Sequence, residues 1–273
     1  MILCDRDGVQ KCIVPENALV YKSERYRLYR ALSLDEKQSY LLRIPCDAAL
    51  NGEVNSEAET LKLLKAKSDD LEEKKALVTD DPVERIHYDW LFPRLVDTFI
   101  LGEDQGYRQA NLLSILDGDV ADFYPLPKLK NSYFVDAKSA AWILGRFFKL
   151  QTFLDDIGVY YKFDPNQVLI EPKYHRVVYI DWTHTSDINH YNNGKLMAKT
   201  MLDWLKDNDI NHEADFRKLL TSIKDMPNDN ALDGIGLHRL LYGDIYEWWG
   251  CKYYPFTYFD CASGEWKRVS DNP

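Results

Sequence analysis

The chain has 273 residues, 45% of them hydrophobic, and a formal net charge of −10. That size and apolar content suit one large domain or two small lobes with a real core, and the negative charge argues against general nucleic-acid or anionic-membrane binding. No apolar run reaches the roughly eighteen residues of a membrane span, and the start "MILCDRDGVQKCIV" is too short and polar for a signal peptide, so the cytoplasm is the expected compartment.

Residues 18–46, "ALVYKSERYRLYRALSLDEKQSYLLRIPC", alternate and are rich in Tyr and Leu, which predicts two or three antiparallel strands with a turn near Asp35–Gln38. Residues 55–78, "NSEAETLKLLKAKSDDLEEKKALV", set Leu61, Leu64 and Leu71 among charges and predict a helix with a long solvated face, to which "KSDDLEEKK" belongs. Residues 92–118 predict a second hairpin, turning at "GEDQG". Beyond "DGDVADFYP" (117–125) helices dominate. Residues 136–158 put Ala140, Ile143, Leu144, Phe147, Phe148, Leu150 and Leu154 on one broad stripe, a buried helix capped by Asp136 and stopped by Gly158. Two short strands, "QVLIE" and "RVVYID", follow around a polar "PKYH" turn. Helices are then expected over "GKLMAKTMLDWLKDN", "EADFRKLLTSIKD" and "DGIGLHRLLYGDIYEWWG", the last with a break at Gly243.

This order predicts an α+β chain of two lobes, residues 1–117 being β-rich with one long helix and 118–273 mainly helical. A cleft between them is the default ligand site. The five cysteines, Cys4, Cys12, Cys46, Cys251 and Cys261, are odd in number and widely spaced, as reduced thiols are. A zinc site drawn from Cys4, Cys12, Cys251 and Cys261 lacks the CxxC pairing such sites use.

In this order the residues resemble the protein-kinase fold. That family is marked by a Gly-rich loop, a Lys on the third strand, a Glu on the next helix, an H-R-D-L-x-x-x-N loop and D-F-G. "SYLLRIP" is similar to the third strand, with Arg43 in place of the Lys, and "NSEAETLKLL" to the next helix, with Glu59 (or Glu57) as the ion-pair Glu. "YYKFDPNQVLI" resembles the catalytic loop in spacing, and "YIDWT" the metal-binding segment, with Asp181 as its acid and Trp182–Thr183 for Phe–Gly. The "IDW" triplet, "AAWILGRFFK" and "RLLYGDIYEWWGCKYYPFT" resemble a narrower group of bacterial kinase-like proteins, described with J-domain chaperone proteins and tending to lack the catalytic Asp. The resemblance runs over about residues 18–258. It implies a two-lobed kinase-like fold and a protein partner. It also implies ATP or another nucleotide with Mg2+, held by Arg43, Glu59, Gln167 and Asp181, the metal falling to Asp181 and Gln167.

The departures bear on chemistry. No G-x-G-x-x-G precedes Arg43, where the turn reads "SLDEKQS"; without glycines the backbone cannot approach phosphates closely. Tyr160 and Tyr161 replace the loop's His and Arg, and Lys162 replaces its base, either as a catalytic candidate that neutralises a γ-phosphate or as a solvated loop lysine. An ammonium with a reference pKa near ~10.4 has no lone pair at neutral pH, and losing a positioned base costs roughly 10²–10⁴ in rate. Asp164, the only acid of the loop, is either an off-register base or the cap of the "DPN" turn. Gln167 takes the place of the metal-binding Asn. Between Asp181 and the helix near Lys195, "THTSDINHYNNG" is too short for an activation segment with its peptide platform, and its His184 and His190 fit no common metal spacing. The aromatic "WW" at 248–249 and "YYPFTYF" at 253–259 read mostly as packing of the helical lobe, any exposed part marking a partner surface. The chain is therefore expected to be a pseudokinase-like binding or scaffold protein with little or no phosphotransfer. The alternatives are an atypical ATP-dependent transferase acting on a small substrate and an interaction protein with no nucleotide site.

Overall fold

The computed structural model describes residues 1–76, 87–116, 119–173, 175–183, 191–228, 232–250 and 254–269. The chain divides into two compact units, Met1–Tyr124 with Val178–His184, and Pro125–Val177 with Thr185–Pro273. The first unit ends a little beyond the expected border at 117 and takes in a short piece of later chain that includes Asp181.

The first unit contains β1 (Ile2–Cys4), β2 (Gln10–Ile13), β3 (Leu19–Lys22), β4 (Tyr26–Leu32), β5 (Ser39–Pro45), α1 (Asn51–Ala76), β6 (Arg94–Ile100) and β7 (Gln109–Ser114). Its strands form one sheet of order β1-β2-β4-β5-β7-β6, with β3 also on β4, and their pairings are antiparallel. Asp5 bridges Leu101, and the Arg6 N–H donates to the Ile100 carbonyl at 2.8 Å. The two ends of the strand order thus meet, and the sheet curls toward a barrel. Leu3, Cys12, Leu42, Ile44, Phe99 and Leu112 fill its inner face. Alternation along β5 turns Leu41 and Arg43 to the opposite face. The hairpins at Asp35–Gln38 and "GEDQG" form as expected; Gly106 closes the second with φ 66°, a left-handed conformation that suits glycine. The β1–β2 hairpin was not foreseen, because strands of three and four residues carry too little alternation to register.

Helix α1 begins at Asn51, and Val54, Glu57, Ala58, Leu61, Leu64 and Ser68 form its buried stripe. Its outer face carries the ion pairs Lys62–Glu59, Lys65–Asp69 and Lys74–Asp70, the solvated charge pattern expected there. Residues 77 and 78 lie outside the described residues.

The chain continues through β8 (Tyr124–Pro125), α2 (Leu126–Ser132), β9 (Tyr133–Val135), α3 (Ala137–Ile157), β10 (Val168–Glu171), β11 (Arg176–Tyr179), α4 (Tyr191–Leu202), α5 (Glu213–Asp225), α6 (Gly234–Trp249), β12 (Thr257–Asp260) and β13 (Glu265–Arg268). Helix α3 starts and stops as its sequence predicts. The Asp136 carboxylate accepts from the Ser139 N–H at 2.8 Å, and Gly158 ends the helix at φ 68°. Helix α6 runs unbroken through Gly243, contrary to expectation, since a mid-helix glycine costs about 1 kcal/mol without removing a hydrogen bond. The unforeseen strands β9, β12 and β13 pair with one another and absorb much of the aromatic end, Phe259 meeting Trp266 edge to face. Trp248 stacks on His212, and Trp249 lies against Phe216. Cys4, Cys12, Cys46 and Cys261 are free thiols; Cys251 lies outside the described residues. Among the described residues, no group of three clustered metal-ligating side chains includes a cysteine, and no helix is long and apolar enough to cross a membrane.

Candidate functional site

Arg43 sits on β5 with a relative exposure of 2%. All three of its guanidinium nitrogens face oxygens of the first unit. Nε lies 3.2 Å from Glu57 Oε1, an ion pair that lacks hydrogen-bond alignment. Nη1 donates to Asp181 Oδ1 at 3.5 Å, and Nη2 to the Ile180 carbonyl at 2.5 Å. The Tyr26 ring covers the group, its centroid 5.5 Å from the guanidinium carbon, in cation–π range. Burial works against the charge, but Glu57 and Asp181 more than restore it, so the Arg43 pKa is raised.

Glu57 is fully buried on α1. Its Oε2 accepts from Asn111 Nδ2 at 3.0 Å. Asn111 is the cross-strand neighbour of Arg43 on β7 and also binds the Val54 carbonyl at 2.8 Å and the Thr98 hydroxyl at 2.8 Å. Burial raises the Glu57 pKa above the ordinary carboxylate value, with Arg43 opposing. Glu59, expected first as the ion-pair partner, does not reach Arg43. Two residues further along a helix is about 200° around its axis; the Glu59 side chain is 64% exposed and pairs with Lys62. Asn111 was not singled out in the sequence, although a lone amide inside the apolar run "ANLLSIL" was a usable sign of a buried polar contact.

Asp181 follows β11. Its Oδ1 accepts from the Thr183 N–H at 3.2 Å and the Thr183 hydroxyl at 2.7 Å as well as from Arg43. The acid therefore both orders its own turn and pairs with the strand cation. Trp182 is fully buried, its indole N–H on the Tyr179 carbonyl at 3.0 Å and its ring edge-on to Phe92 and Tyr179.

The turn that precedes the strand before Arg43 is not "SLDEKQS". "SLDEKQS" joins β4 to β5; the turn between the two preceding strands is Ser23–Arg25, between β3 and β4. It is tight, the Ser23 N–H donating to the Tyr26 carbonyl at 2.9 Å, and it carries no glycine. Arg25 and the Tyr26 hydroxyl both donate to the Glu53 carboxylate of α1, which ties the turn down. Burial, then Glu53, raises the Tyr26 phenol.

Lys162, Asp164 and Gln167 belong to the second unit. Their segment is anchored by Asn193, which accepts from the Phe163 N–H at 3.0 Å and donates to the Tyr161 carbonyl at 2.9 Å and to Gln151 at 3.1 Å. Nothing in the sequence had marked Asn193. Asp164 caps the turn through Pro165–Gln167, accepting from the Asn166 N–H at 2.9 Å and its side-chain amide at 2.8 Å. Lys162 is exposed and Gln167 buried. Residues 184–190, with His184 and His190, lie outside the described residues.

Among solved structures the chain is similar to the crystal structure of the Mycobacterium tuberculosis PknI kinase domain, with a TM-score of 0.50 at 9% identity over 85% of this chain and 95% of that chain. A double mutant of the same domain gives a TM-score of 0.51 at 9% identity, with the same coverage. The fold is protein-kinase-like. Its N-terminal part is the antiparallel sheet with α1, and its C-terminal part is helical. No family model matches the chain, and no curated protein matches it. Arg43 on β5 and Glu57 on α1 form a buried strand-to-helix ion pair within the first unit. Nucleotide phosphates fit the first unit poorly. Its buried cation already meets two carboxylates and a carbonyl, and the turn ahead of β4 has neither glycine nor slack.

Proposed function

We propose that the chain is a binding or scaffold protein built on a kinase-like fold, with little or no phosphotransfer. The Arg43 cluster carries this reading: the cation that the family devotes to phosphate and helix Glu together is buried here and divided among Glu57, Asp181 and the Ile180 carbonyl. Lys162 at the position of the base supports it, because an ammonium accepts no proton at neutral pH. The sequence resemblance to bacterial kinase-like proteins described with J-domain chaperones supports a protein partner, with the cytoplasm as the compartment.

One observation favours a second reading, an ATP-dependent transferase acting on a small substrate. The three bonds to Asp181 all end on Oδ1, and its side chain is 24% exposed, which leaves Oδ2 for Mg2+. Phosphoryl transfer rests mostly on positioning and electrostatics, so a lost base need not abolish it.

Thermal-shift titration with ATP, ADP and Mg2+, paired with turnover of labelled ATP, tests the proposal. A nucleotide at a hundred times its Kd adds about 2.7 kcal/mol of stability. The expected result is no turnover that depends on Asp181, with or without a melting shift. A saturable shift would add nucleotide binding to the scaffold, and its absence would leave an interaction protein with no nucleotide site. Turnover abolished by Asp181→Asn would overturn the proposal and select the transferase.

A further inference from the structure

We propose that Glu72, His87 and Asp89 form a site for one divalent transition-metal ion of the zinc class. Glu72 lies near the end of α1, and His87 and Asp89 stand two residues apart at the short 3-10 turn Tyr88–Trp90. One ligating atom from each side chain lies within 4.8 Å of the other two. His87 Nδ1 is 3.2 Å from Glu72 Oε2. The imidazole also stacks on Trp90 with ring centroids 4.9 Å apart, which limits the turning of the ring.

Asp89 supplies the second, independent observation. The residue is 4% exposed; Arg94 donates to its Oδ2, while its Oδ1 is buried and accepts no hydrogen bond. A buried carboxylate oxygen without a partner is expensive, and a bound ion is among the few things that satisfy it. Arg94 then acts as the outer group that orients a ligating carboxylate.

The donor set selects the ion. One imidazole nitrogen with two carboxylates suits Zn2+ and Co2+, whereas Ca2+ and Mg2+ prefer oxygen throughout. Tetrahedral ligands around Zn2+ stand about 3.3 Å apart, so the His87–Glu72 separation already matches a shared ion. The Glu72 and His87 side chains are 26% and 38% exposed and so have room to turn, and a ligating atom of Asp89 lies within 4.8 Å of theirs. Water completes the shell. This site is independent of the proposed function, since it touches neither Arg43 nor Asp181.

The test uses the full chain stripped with a chelator, then titrated with Zn2+ by calorimetry and with Co2+ by visible absorption. The expected result is one ion per chain, Co2+ bands without a thiolate charge-transfer band, and at least tenfold weaker Zn2+ binding in His87→Ala. Glu59→Gln, on the same helix but outside the cluster, should bind as the parent does. His87 is partly exposed, so its removal should leave the metal-free circular dichroism unchanged. Failure to bind at stoichiometry, unchanged affinity in His87→Ala, or a thiolate band from the cysteines would each overturn the proposal.

Discussion

Arg43 donates from Nη2 to the carbonyl of Ile180 at 2.5 Å, across 137 positions of sequence. The bond fastens the segment bearing Asp181 onto the central strand of the first unit, and Glu57 completes the charge balance from α1. A buried guanidinium held in this way is costly to disturb. Breaking a buried ion pair by removing one partner typically costs about 3–5 kcal/mol, because the other charge is left stranded. Glu57→Gln should therefore lower unfolding stability in urea by about that amount, while Glu59→Gln stays within about 0.5 kcal/mol. The double change Arg43→Met with Glu57→Leu should recover much of the loss, since an apolar pair of similar volume often replaces a buried ion pair at little cost. Equal effects at positions 57 and 59 would contradict the helix orientation described above.

The turn at Ser23–Arg25 gives a second prediction. Glu53 accepts from both Arg25 and Tyr26, and Glu53→Ala cuts both ties at once. Amide exchange at Ser23 and Arg25 should accelerate, and stability should fall by about 1 kcal/mol. Arg25→Ala alone should cost less, as partly exposed ion pairs contribute about 0–1 kcal/mol. Hydrogen exchange resolved by residue reads both. A turn that exchanges at the parent rate in Glu53→Ala would show that the hairpin alone holds it.

Helix α1, the β4–β5 hairpin and α3 with both its caps follow from local signals: apolar period, turn residues, an Asp before and a Gly after. The identity of the ion-pair Glu was also within reach, because Glu57 falls between Val54 and Leu61 on the apolar stripe and Glu59 does not. Motif likeness points to Glu59, whereas the side of the helix points to Glu57. Asn111 and Asn193 were harder to find, since each matters through partners contributed by distant segments. The order of the strands around "KSERY" and "SLDEKQS" rests on pairings that alternation alone does not assign.

His238 should set an acid limb in the stability profile. It is half-buried and stacked on Tyr242 at 4.3 Å, and burial, then the nearby Lys149 charge, lowers its pKa below the ordinary 6.5. A depressed value means that the folded state prefers the neutral ring. Its contribution is thus fully present above 6.5 and is lost as pH falls through the folded pKa, because the unfolded chain takes up the proton first. Denaturant midpoints measured from pH 8 to 5 should decline below that point, and His238→Gln should flatten this part of the curve. A slope that survives the substitution would assign it to other groups.

Two glycines of α6 should respond to alanine with opposite signs. At Gly234 an added Cβ would meet the Thr152 nitrogen at 2.3 Å and the Gln151 carbonyl carbon at 2.6 Å. These are backbone atoms of α3, so no side chain can swing aside. The Gly234 N–H also donates to Asp155 at 2.8 Å, which holds the start of α6 against α3. Gly234→Ala must either separate the two helices or break that bond, and overpacking of this kind costs about 1–3 kcal/mol. At Gly243 nothing lies within 4 Å of the same added carbon. There alanine only removes glycine's excess freedom in the unfolded chain, so Gly243→Ala should stabilise by about 0.5–1 kcal/mol. Paired urea melts of the two variants test the contrast, with far-ultraviolet circular dichroism to confirm that helix content is kept. If Gly234→Ala matches the parent, the α3–α6 contact is looser than its atoms indicate. A loss in Gly243→Ala would mean that α6 bends at that residue after all.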